Sequence, residues 1–176
     1  MHRGDQALIR ILDQALAEAA VKSGPWLVCR PGCFQCCLGP FPITPLDARR
    51  LRHGFAELDA SDPRRASAVL ERSLAAGSGD DDPCPVLDPQ TGTCDLYAYR
   101  PVTCRTFGPA VTYGSEAVGV CELCYDGASD EEIAACAVAM DDRIERELIE
   151  TLEDQTGHQG PATVALCIAG SHVRIP

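Results

Sequence analysis

Apolar residues of the N-terminal segment recur every three or four positions. This spacing predicts an amphipathic helix over residues 5–21. A second helix is predicted from Thr44, because a threonine N-cap followed by Pro45 and by Asp47 in the first turn favours a helix start. A third is predicted to begin at the Ser61–Pro63 segment. The apolar stripe of the first helix comprises Leu8, Leu12, Ala15, Leu16 and Ala19.

The longest periodic stretch lies near the C-terminus. Ser129 and Glu132 have the spacing of a capping box, and apolar residues then recur at helical intervals. We therefore predict one long helix over residues 130–154. Its inward stripe comprises Ile133, Ala137, Met140, Ile144, Leu148 and Leu152. The terminal segment GPATVALCIAG is expected to form a short buried helix.

Few stretches have the character of strands. The segment CPVLDPQTGTCDLY holds two short apolar pieces around a turn, which predicts a hairpin that brings Cys84 towards Cys94. The expected fold class is mainly α with a small irregular α+β cysteine-rich centre, in which helices pack around a loop-rich metal site with one short hairpin. We expect a single domain over residues 1–176, with a core motif region at 29–124 and the two long helices flanking it.

The chain is acidic, with a formal net charge of −11. This charge argues against nucleic acid and anionic membrane surfaces as partners, because both carry negative phosphates. No apolar run approaches the roughly 20 residues that a membrane-spanning helix needs. The N-terminus carries charges where a signal peptide would be apolar. We expect a cytoplasmic protein without membrane association, and the sequence indicates no particular protein partner.

The chain has 11 cysteines. In a reducing compartment disulfides rarely persist, and clustered thiols usually bind metal or carry out redox chemistry. The group Cys29-x3-Cys33-x2-Cys36-Cys37 and the pair Cys121-x2-Cys124 have short spacers, which let the chain aim several sulfurs at one point. The candidate metal ligands are Cys29, Cys33, Cys36, Cys37, Cys84, Cys94, Cys104, Cys121 and Cys124.

These candidates outnumber the roughly four thiolates that a zinc ion or a [4Fe–4S] cluster needs. The side chains of adjacent Cys36 and Cys37 point apart, so one of them can reach a second metal, bridge two metals or stay a spare thiol. We expect the first group and Cys104 to share a site. Cys136 and Cys167 fall on apolar helical faces and are interpreted as packing residues.

Basic residues lie beside the cysteines in sequence. A divalent metal with four thiolates carries a net charge of about −2, which a guanidinium group can balance. The candidates are Arg30, Arg100 and Arg105, since their N–H groups can also bond to sulfur and fix its direction. Tyr97 is expected to pack around the site in the same outer layer.

Two ordered motifs carry a family resemblance. CRPGCFQCC and CPVLDPQTGTCDLYAYRPVTCRTFG together resemble the YkgJ-type cysteine-cluster family, a proposed zinc- or iron-chelating domain. The resemblance runs from about residue 29 to 124. It implies metal binding, with zinc or an iron–sulfur cluster as cofactor and a [4Fe–4S] cluster favoured. The family block that ends in Arg-Pro-x-x-Cys-Arg is matched by Gly92, Cys94, Tyr97, Arg100, Pro101, Cys104 and Arg105.

The resemblance leaves the biological role open. The flagellin lysine methylases look related through the same cysteine domain, which implies an iron–sulfur-dependent methyltransferase or protein-modifying enzyme as one alternative. Two further alternatives are a metal store or chaperone, and a structural metal site in a partner-binding module. The spacing of Cys29, Cys33 and Cys36 also matches radical S-adenosylmethionine enzymes, but the chain has too few strand-like runs for their barrel. No nucleophile–base pair with catalytic spacing indicates a reaction.

Overall fold

The computed structural model describes residues 3–113, 120–121, 123–157 and 162–170. Two short sheets accompany the helices: an antiparallel pair of β1 (Leu87–Asp88) and β2 (Thr93–Cys94), and a parallel pair of β3 (Val111–Tyr113) and β4 (Val138–Met140). The expected fold class, mainly α with a small irregular α+β part, is confirmed. The helices are α1 (Arg3–Ser23), α2 (Pro45–Ser61), α3 (Pro63–Ala75), α4 (Val102–Thr106), α5 (Asp130–Cys136), α6 (Arg143–Thr156) and α7 (Val164–Gly170).

Backbone contacts divide the chain into two compact units. Unit 1 comprises Met1–Arg30 and Thr103–Thr151, and unit 2 comprises Pro31–Val102 and Leu152–Pro176. The division separates Cys29 from the rest of the CRPGCFQCC motif, because the boundary falls between Arg30 and Pro31. The expectation of a single domain stays a prediction.

Unit 2 is built on α2, α3 and α7, which pack against one another. The predicted start of α2 is confirmed: the Thr44 hydroxyl accepts a hydrogen bond from the Asp47 backbone N–H at 3.1 Å, and the Asp47 carboxylate accepts one from the Thr44 N–H at 3.3 Å. The short terminal helix is also confirmed as α7. Val86 and Leu96 from the hairpin enter the core of these helices, so apolar burial holds the hairpin in place. The core comprises Ile43, Ala48, Leu51, Phe55, Ala66, Val69, Val86, Leu96, Val164, Cys167 and Ile168.

Unit 1 contains α1, α5 and the β3–β4 sheet. The predicted first helix is confirmed, and α1 is slightly longer at both ends than residues 5–21. Its predicted stripe is buried at Leu8, Leu12, Leu16 and Ala19, and it faces α5 and β4. Among the helices of the described residues, none combines the length and the apolar character that crossing a bilayer requires.

The single long helix predicted over residues 130–154 is wrong. The capping box at its start is present, but α5 ends at Cys136 and the chain then forms β4. Val138–Met140 pairs in parallel register with Val111–Tyr113, a partner far away in sequence. This pairing satisfies backbone groups that a helix would otherwise bond internally, and the β-branched Val138 suits a strand.

A new helix starts after β4. The Asp141 carboxylate accepts a hydrogen bond from the Arg143 backbone N–H at 3.0 Å, at the first residue of α6. Asp and Asn favour such positions because their short side chains satisfy backbone donors that have no partner within the helix. The apolar period of residues 130–154 therefore spans two helices and a strand.

Candidate metal centre

Three segments of unit 2 bring four cysteines into one neighbourhood. Two lie in the 3₁₀ turn Gln35–Cys37, one precedes β1, and one ends β2. The Cys37 sulfur is within electrostatic range of the other three. We define the first thiol cluster as Cys36, Cys37, Cys84 and Cys94.

Backbone hydrogen bonds join these segments directly. The Cys84 N–H donates to the Cys37 carbonyl at 2.6 Å. In the hairpin, Leu87 faces Cys94 across the strand pair, and the Leu87 N–H donates to the Cys84 carbonyl at 2.9 Å. The predicted hairpin, and its role in bringing Cys84 towards Cys94, are confirmed. The placement of the cluster therefore rests on main-chain bonds rather than on mobile side chains alone.

Each cysteine of the hairpin receives a backbone donor two residues further along the chain. The Val86 N–H donates to the Cys84 sulfur, and the Leu96 N–H donates to the Cys94 sulfur. Burial nevertheless dominates: it raises the pKa of Cys84 to about 11 and raises the pKa of Cys94 as well. Such N–H donors stabilise a thiolate, as they do around metal-bound sulfur.

The adjacent pair Cys36 and Cys37 shares one hydrogen bond between its sulfurs. The Cys37 thiol donates to the Cys36 sulfur, which lowers the pKa of Cys36 to about 6, and the positive charge of Arg100 acts in the same direction. The same hydrogen bond, together with burial, raises the pKa of Cys37 well above its ordinary value. The shared hydrogen bond thus moves the pKa values of the two thiols in opposite directions.

Arg100 and Tyr97 lie together beside the first thiol cluster. The Arg100 guanidinium carbon is 3.8 Å from the centre of the Tyr97 ring, a cation–π contact. The charge of Arg100 also lowers the pKa values of Cys36 and Cys94, in both cases as a smaller effect than hydrogen bonding or burial. These contacts agree with a supporting role for both residues, which stays a prediction.

Sequence reasoning missed an arginine of α3. Arg72 donates to the Pro85 carbonyl at 2.7 Å and to the Asp95 carboxylate at 2.8 Å, so it bonds to the neighbours of both hairpin cysteines. Arg65 bonds the other oxygen of the same carboxylate at 2.6 Å. No sequence signal could have identified Arg72, because it stands outside every cysteine motif.

Cys33 is half-buried in the loop that precedes the 3₁₀ turn. This loop lies against the tip of the hairpin: a Cβ on Gly92 would come within 3.3 Å of the Gly32 Cα. Both glycines have positive φ, at 66° and 88°, which residues with a side chain rarely adopt. Cys33 therefore belongs to the same unit as the first thiol cluster, and its role as a ligand stays a prediction.

Three other candidates meet in unit 1. The Cys29 sulfur lies 3.9 Å from the Cys124 sulfur, and the Cys121 thiol donates to the Cys124 sulfur. We define the second thiol cluster as Cys29, Cys121 and Cys124.

Cys104 lies on α4 and is counted with unit 1, and its expected sharing of a site with the first group stays a prediction. Arg105, also in unit 1, forms an ion pair of 2.7 Å with Asp13 of α1, and its supporting role stays a prediction too.

The two cysteines interpreted as packing residues have a different environment. The Cys136 thiol donates to the Lys22 carbonyl, and the Cys167 thiol donates to the Ala48 carbonyl, both at 3.3 Å. A sulfur that donates its proton to a carbonyl is a neutral thiol, not a thiolate ligand. Their surroundings therefore agree with packing.

Within each thiol cluster the sulfurs are neighbours, but they are not arranged around a common point. Within the described residues, no three His, Cys, Asp or Glu side chains already surround one point as metal ligands. The donor chemistry nevertheless fits a thiophilic metal, because all the neighbouring candidates are cysteines and several receive backbone N–H bonds. Side-chain rotation would have to bring the sulfurs together around a metal.

Comparison with curated proteins and with solved structures gave no match. The model of one protein family matches residues 28–138, which is more than half of the chain and includes both thiol clusters. Its description supports metal binding and leaves the choice between zinc and iron open. The chain belongs to this family, CxxCxxCC, described as a “putative zinc- or iron-chelating domain”.

Proposed function

We propose that this protein holds an iron–sulfur cluster, of the [4Fe–4S] type, on the first thiol cluster. The observation that supports this most directly is the approach of four cysteines from three segments of unit 2. Four thiolates are the usual ligand set of a [4Fe–4S] cluster.

The adjacent cysteines bear on the choice between a cluster and a single ion. The sulfurs of Cys36 and Cys37 share a hydrogen bond, so the sequence-based expectation that these side chains point apart is wrong. A [4Fe–4S] cluster offers separate irons to separate thiolates, whereas zinc requires all four at one tetrahedral centre. The hydrogen bond between the two sulfurs would be replaced by two metal bonds when Cys37 loses its proton.

The nearby charges and donors suit such a centre. Arg100 places positive charge near Cys36 and Cys94, and backbone N–H groups already point to Cys84 and Cys94. The Asp95 carboxylate follows Cys94 and is 1% exposed, but Arg65 and Arg72 bind it, so it is not offered to a metal. The ligand set is thus sulfur alone, which favours thiophilic metals over magnesium or calcium.

A reducing compartment agrees with this function, since oxidised thiols could not ligate a metal. We therefore propose a cytoplasmic location. We also propose that nucleic acid is not a partner, because the net charge of −11 would oppose binding to phosphates.

Anaerobic purification followed by metal analysis tests the proposal. We expect a brown protein with broad visible absorbance, acid-labile sulfide and about four irons per chain. Cys84→Ser and Cys94→Ser should each lose this absorbance. Cys167→Ala is the matched control in the same unit, because its thiol bonds to a carbonyl, and it should retain the full iron content.

Two outcomes would contradict the proposal. A colourless wild-type protein whose zinc is lost in the Cys84 and Cys94 variants would replace the iron–sulfur cluster with a zinc tetrathiolate. Full iron and sulfide content in folded Cys84→Ser and Cys94→Ser would remove the first thiol cluster as the site.

A further inference from the structure

We propose that the second thiol cluster, Cys29, Cys121 and Cys124, is a separate metal site in unit 1 that binds one divalent ion of the zinc class. The family description assigns metal chelation without dividing the cysteines between sites. This site would use cysteines that the first thiol cluster does not contain. It therefore does not depend on which metal the first cluster holds.

The distance between two sulfurs supports a shared metal. The Cys29 and Cys124 sulfurs are 3.9 Å apart. Two thiolates on one tetrahedral zinc, with Zn–S bonds of about 2.3 Å, would lie about 3.8 Å apart. A disulfide would require only about 2.05 Å. The observed separation is that of a thiol–thiol hydrogen bond, and it also fits two ligands of one ion.

Cys121 adds a third sulfur through a short turn. The Cys124 N–H donates to the Cys121 carbonyl at 2.9 Å, which holds these two residues close together. The Cys121 sulfur also receives backbone N–H bonds from Leu123 and Cys124. Backbone donors aimed at a sulfur are typical of metal-binding Cys-x-x-Cys turns.

The residue after this turn is held in a strained conformation. Tyr125 has φ of 61°, which is uncommon for a residue with a bulky side chain. Its buried hydroxyl makes a hydrogen bond with Ser23 and accepts one from the Ala110 N–H at 2.8 Å. Its own N–H donates to the Trp26 carbonyl at 3.0 Å. These contacts offset the backbone strain and hold the main chain directly after Cys124 in place.

The backbone also makes room for the Cys29 sulfur. A Cβ on Gly108 would lie 2.8 Å from that sulfur, which is closer than any real contact allows. The φ of Gly108 is 116°, a value that only glycine adopts without strain. Gly108 thus permits main chain to approach the sulfur, as glycines do around bound groups.

The contrast with Cys136 argues that Cys121 and Cys124 are more than packing residues. Cys136 belongs to the same buried apolar cluster as Cys121 and Cys124, yet its thiol donates to a carbonyl. Cys121 and Cys124 have other sulfurs and N–H donors as neighbours instead. Three thiolates would fill three of the four positions that zinc prefers, and the fourth is left to a ligand outside this cluster.

Cobalt titration of the reduced, metal-free full chain tests the second site. Tetrahedral Co²⁺ bound to thiolates gives intense sulfur-to-metal charge-transfer absorbance, so each site can be counted. We expect Cys29→Ser to lose one cobalt equivalent with its thiolate absorbance, whereas Cys94→Ser retains that equivalent and loses one from the first thiol cluster. Cys136→Ala is the matched control in unit 1 and should bind as the wild type does. Cys29 is the preferred variant because its side chain is exposed.

Two results would overturn the second site. One is a folded Cys29→Ser protein, judged by circular dichroism, that binds as much cobalt as Cys136→Ala with the same spectrum. The other is complete loss of cobalt in both Cys29→Ser and Cys94→Ser, which would indicate one shared centre.

A measurement on the wild type does not depend on folding of any variant. Zinc added to the reduced chain should protect Cys29, Cys121 and Cys124 together from alkylation, as read by mass spectrometry. Alkylation of Cys29 at an unchanged rate in saturating zinc would also overturn the proposal. Loss of the first cluster's iron, by contrast, would leave this result unaffected and would count only against the proposed function.

Discussion

The Arg72 guanidinium lies 2.8 Å from the Asp95 carboxylate. Asp95 directly follows Cys94, and the same guanidinium donates to the carbonyl of Pro85, which directly follows Cys84. One side chain of α3 therefore ties together the two arms of the hairpin that present cysteines to the first thiol cluster. We infer that Arg72 positions these sulfurs without touching a metal.

Arg72→Met should destabilise unit 2 and weaken metal retention. The Pro85 carbonyl loses its donor, and buried Asp95 keeps only one of its two guanidinium partners, which together cost roughly 1–3 kcal/mol of the free energy of unfolding. Urea unfolding measures the stability loss. Transfer of the bound metal to a chelator should also be faster, because the two cysteine segments are less firmly joined.

Arg65→Met is the matched control. Arg65 bonds the same carboxylate but is 45% exposed and has no bond to the Cys84 segment, so its loss should cost less than that of Arg72. Equal effects of the two substitutions on metal release would show that only the ion pairs of Asp95 matter. The link that Arg72 makes between the Cys84 and Cys94 segments would then have no role.

Gly54→Ala should destabilise the protein, although alanine normally stabilises a helix by up to about 1 kcal/mol relative to glycine. A Cβ at Gly54 would lie 2.3 Å from the Tyr99 ring. The ring and the 3₁₀ turn that carries it must shift, at a cost of roughly 1–3 kcal/mol. Arg100 follows this turn directly, so the cation–π contact should be disturbed as well.

Thermal unfolding compares Gly54→Ala with Gly170→Ala. Gly170 lies on α7, where an added Cβ would meet nothing within 4 Å. We expect a lower melting temperature for Gly54→Ala and no loss for Gly170→Ala. A stabilised Gly54→Ala protein would mean that Tyr99 is not closely packed on α2.

The reduced, metal-free chain should gain stability from Cys36 as the pH rises from about 6 to 9. Its pKa falls from 9.0 to about 6 on folding, because the Cys37 thiol donates to its sulfur. A lowered pKa stabilises the native state above the unfolded value, and this contribution is lost as the pH falls through the folded value. Cys84 has the opposite effect, because burial raises its pKa to about 11. Its contribution to the stability of the native state is present below pH 9.0 and is lost as the pH rises towards 11.

Anaerobic urea unfolding at a series of pH values checks this prediction. Cys36→Ala should flatten the rise between pH 6 and 9. The decline at higher pH should become smaller, because Cys37 loses the hydrogen bond that raises its pKa, but the part due to buried Cys84 should remain. An unchanged rise in that variant would assign the effect to other groups.

Cys167→Ala should behave as an ordinary core substitution. The residue is 2% exposed, and its thiol donates to the Ala48 carbonyl, so truncation leaves a small cavity and an acceptor without that donor. We expect a loss of roughly 1–3 kcal/mol in the free energy of unfolding with no change in bound metal. Loss of a metal equivalent from the folded variant would make Cys167 a ligand.

Local signals in the sequence were sufficient for the helix starts and the hairpin. Thr44 with Asp47, and Ser129 with Glu132, form capping boxes as their spacing predicts. The turn between β1 and β2 likewise forms where its Asp, Pro and Gly residues indicate. These features depend on residues within a few positions of one another, so distant parts of the chain have little power to change them.

The end of the predicted long helix could not be found in the same way. The helical period of residues 130–154 was real, but β3 offered Val138–Met140 a strand partner that is remote in sequence. A periodic pattern says which residues are apolar. It does not say whether a distant strand will compete for their backbone groups.

By itself, the sequence determined the chemistry of this protein: thiols closely spaced in short loops, in an order that marks a zinc- or iron-chelating family. Only the tertiary structure decided which thiols are neighbours. It places Cys29 beside Cys124 in unit 1, joins Cys84 to Cys37 in unit 2, and brings Arg72 to the hairpin. Ligand type is a property of single residues, whereas a site is a property of distances between segments that the folded core alone brings together.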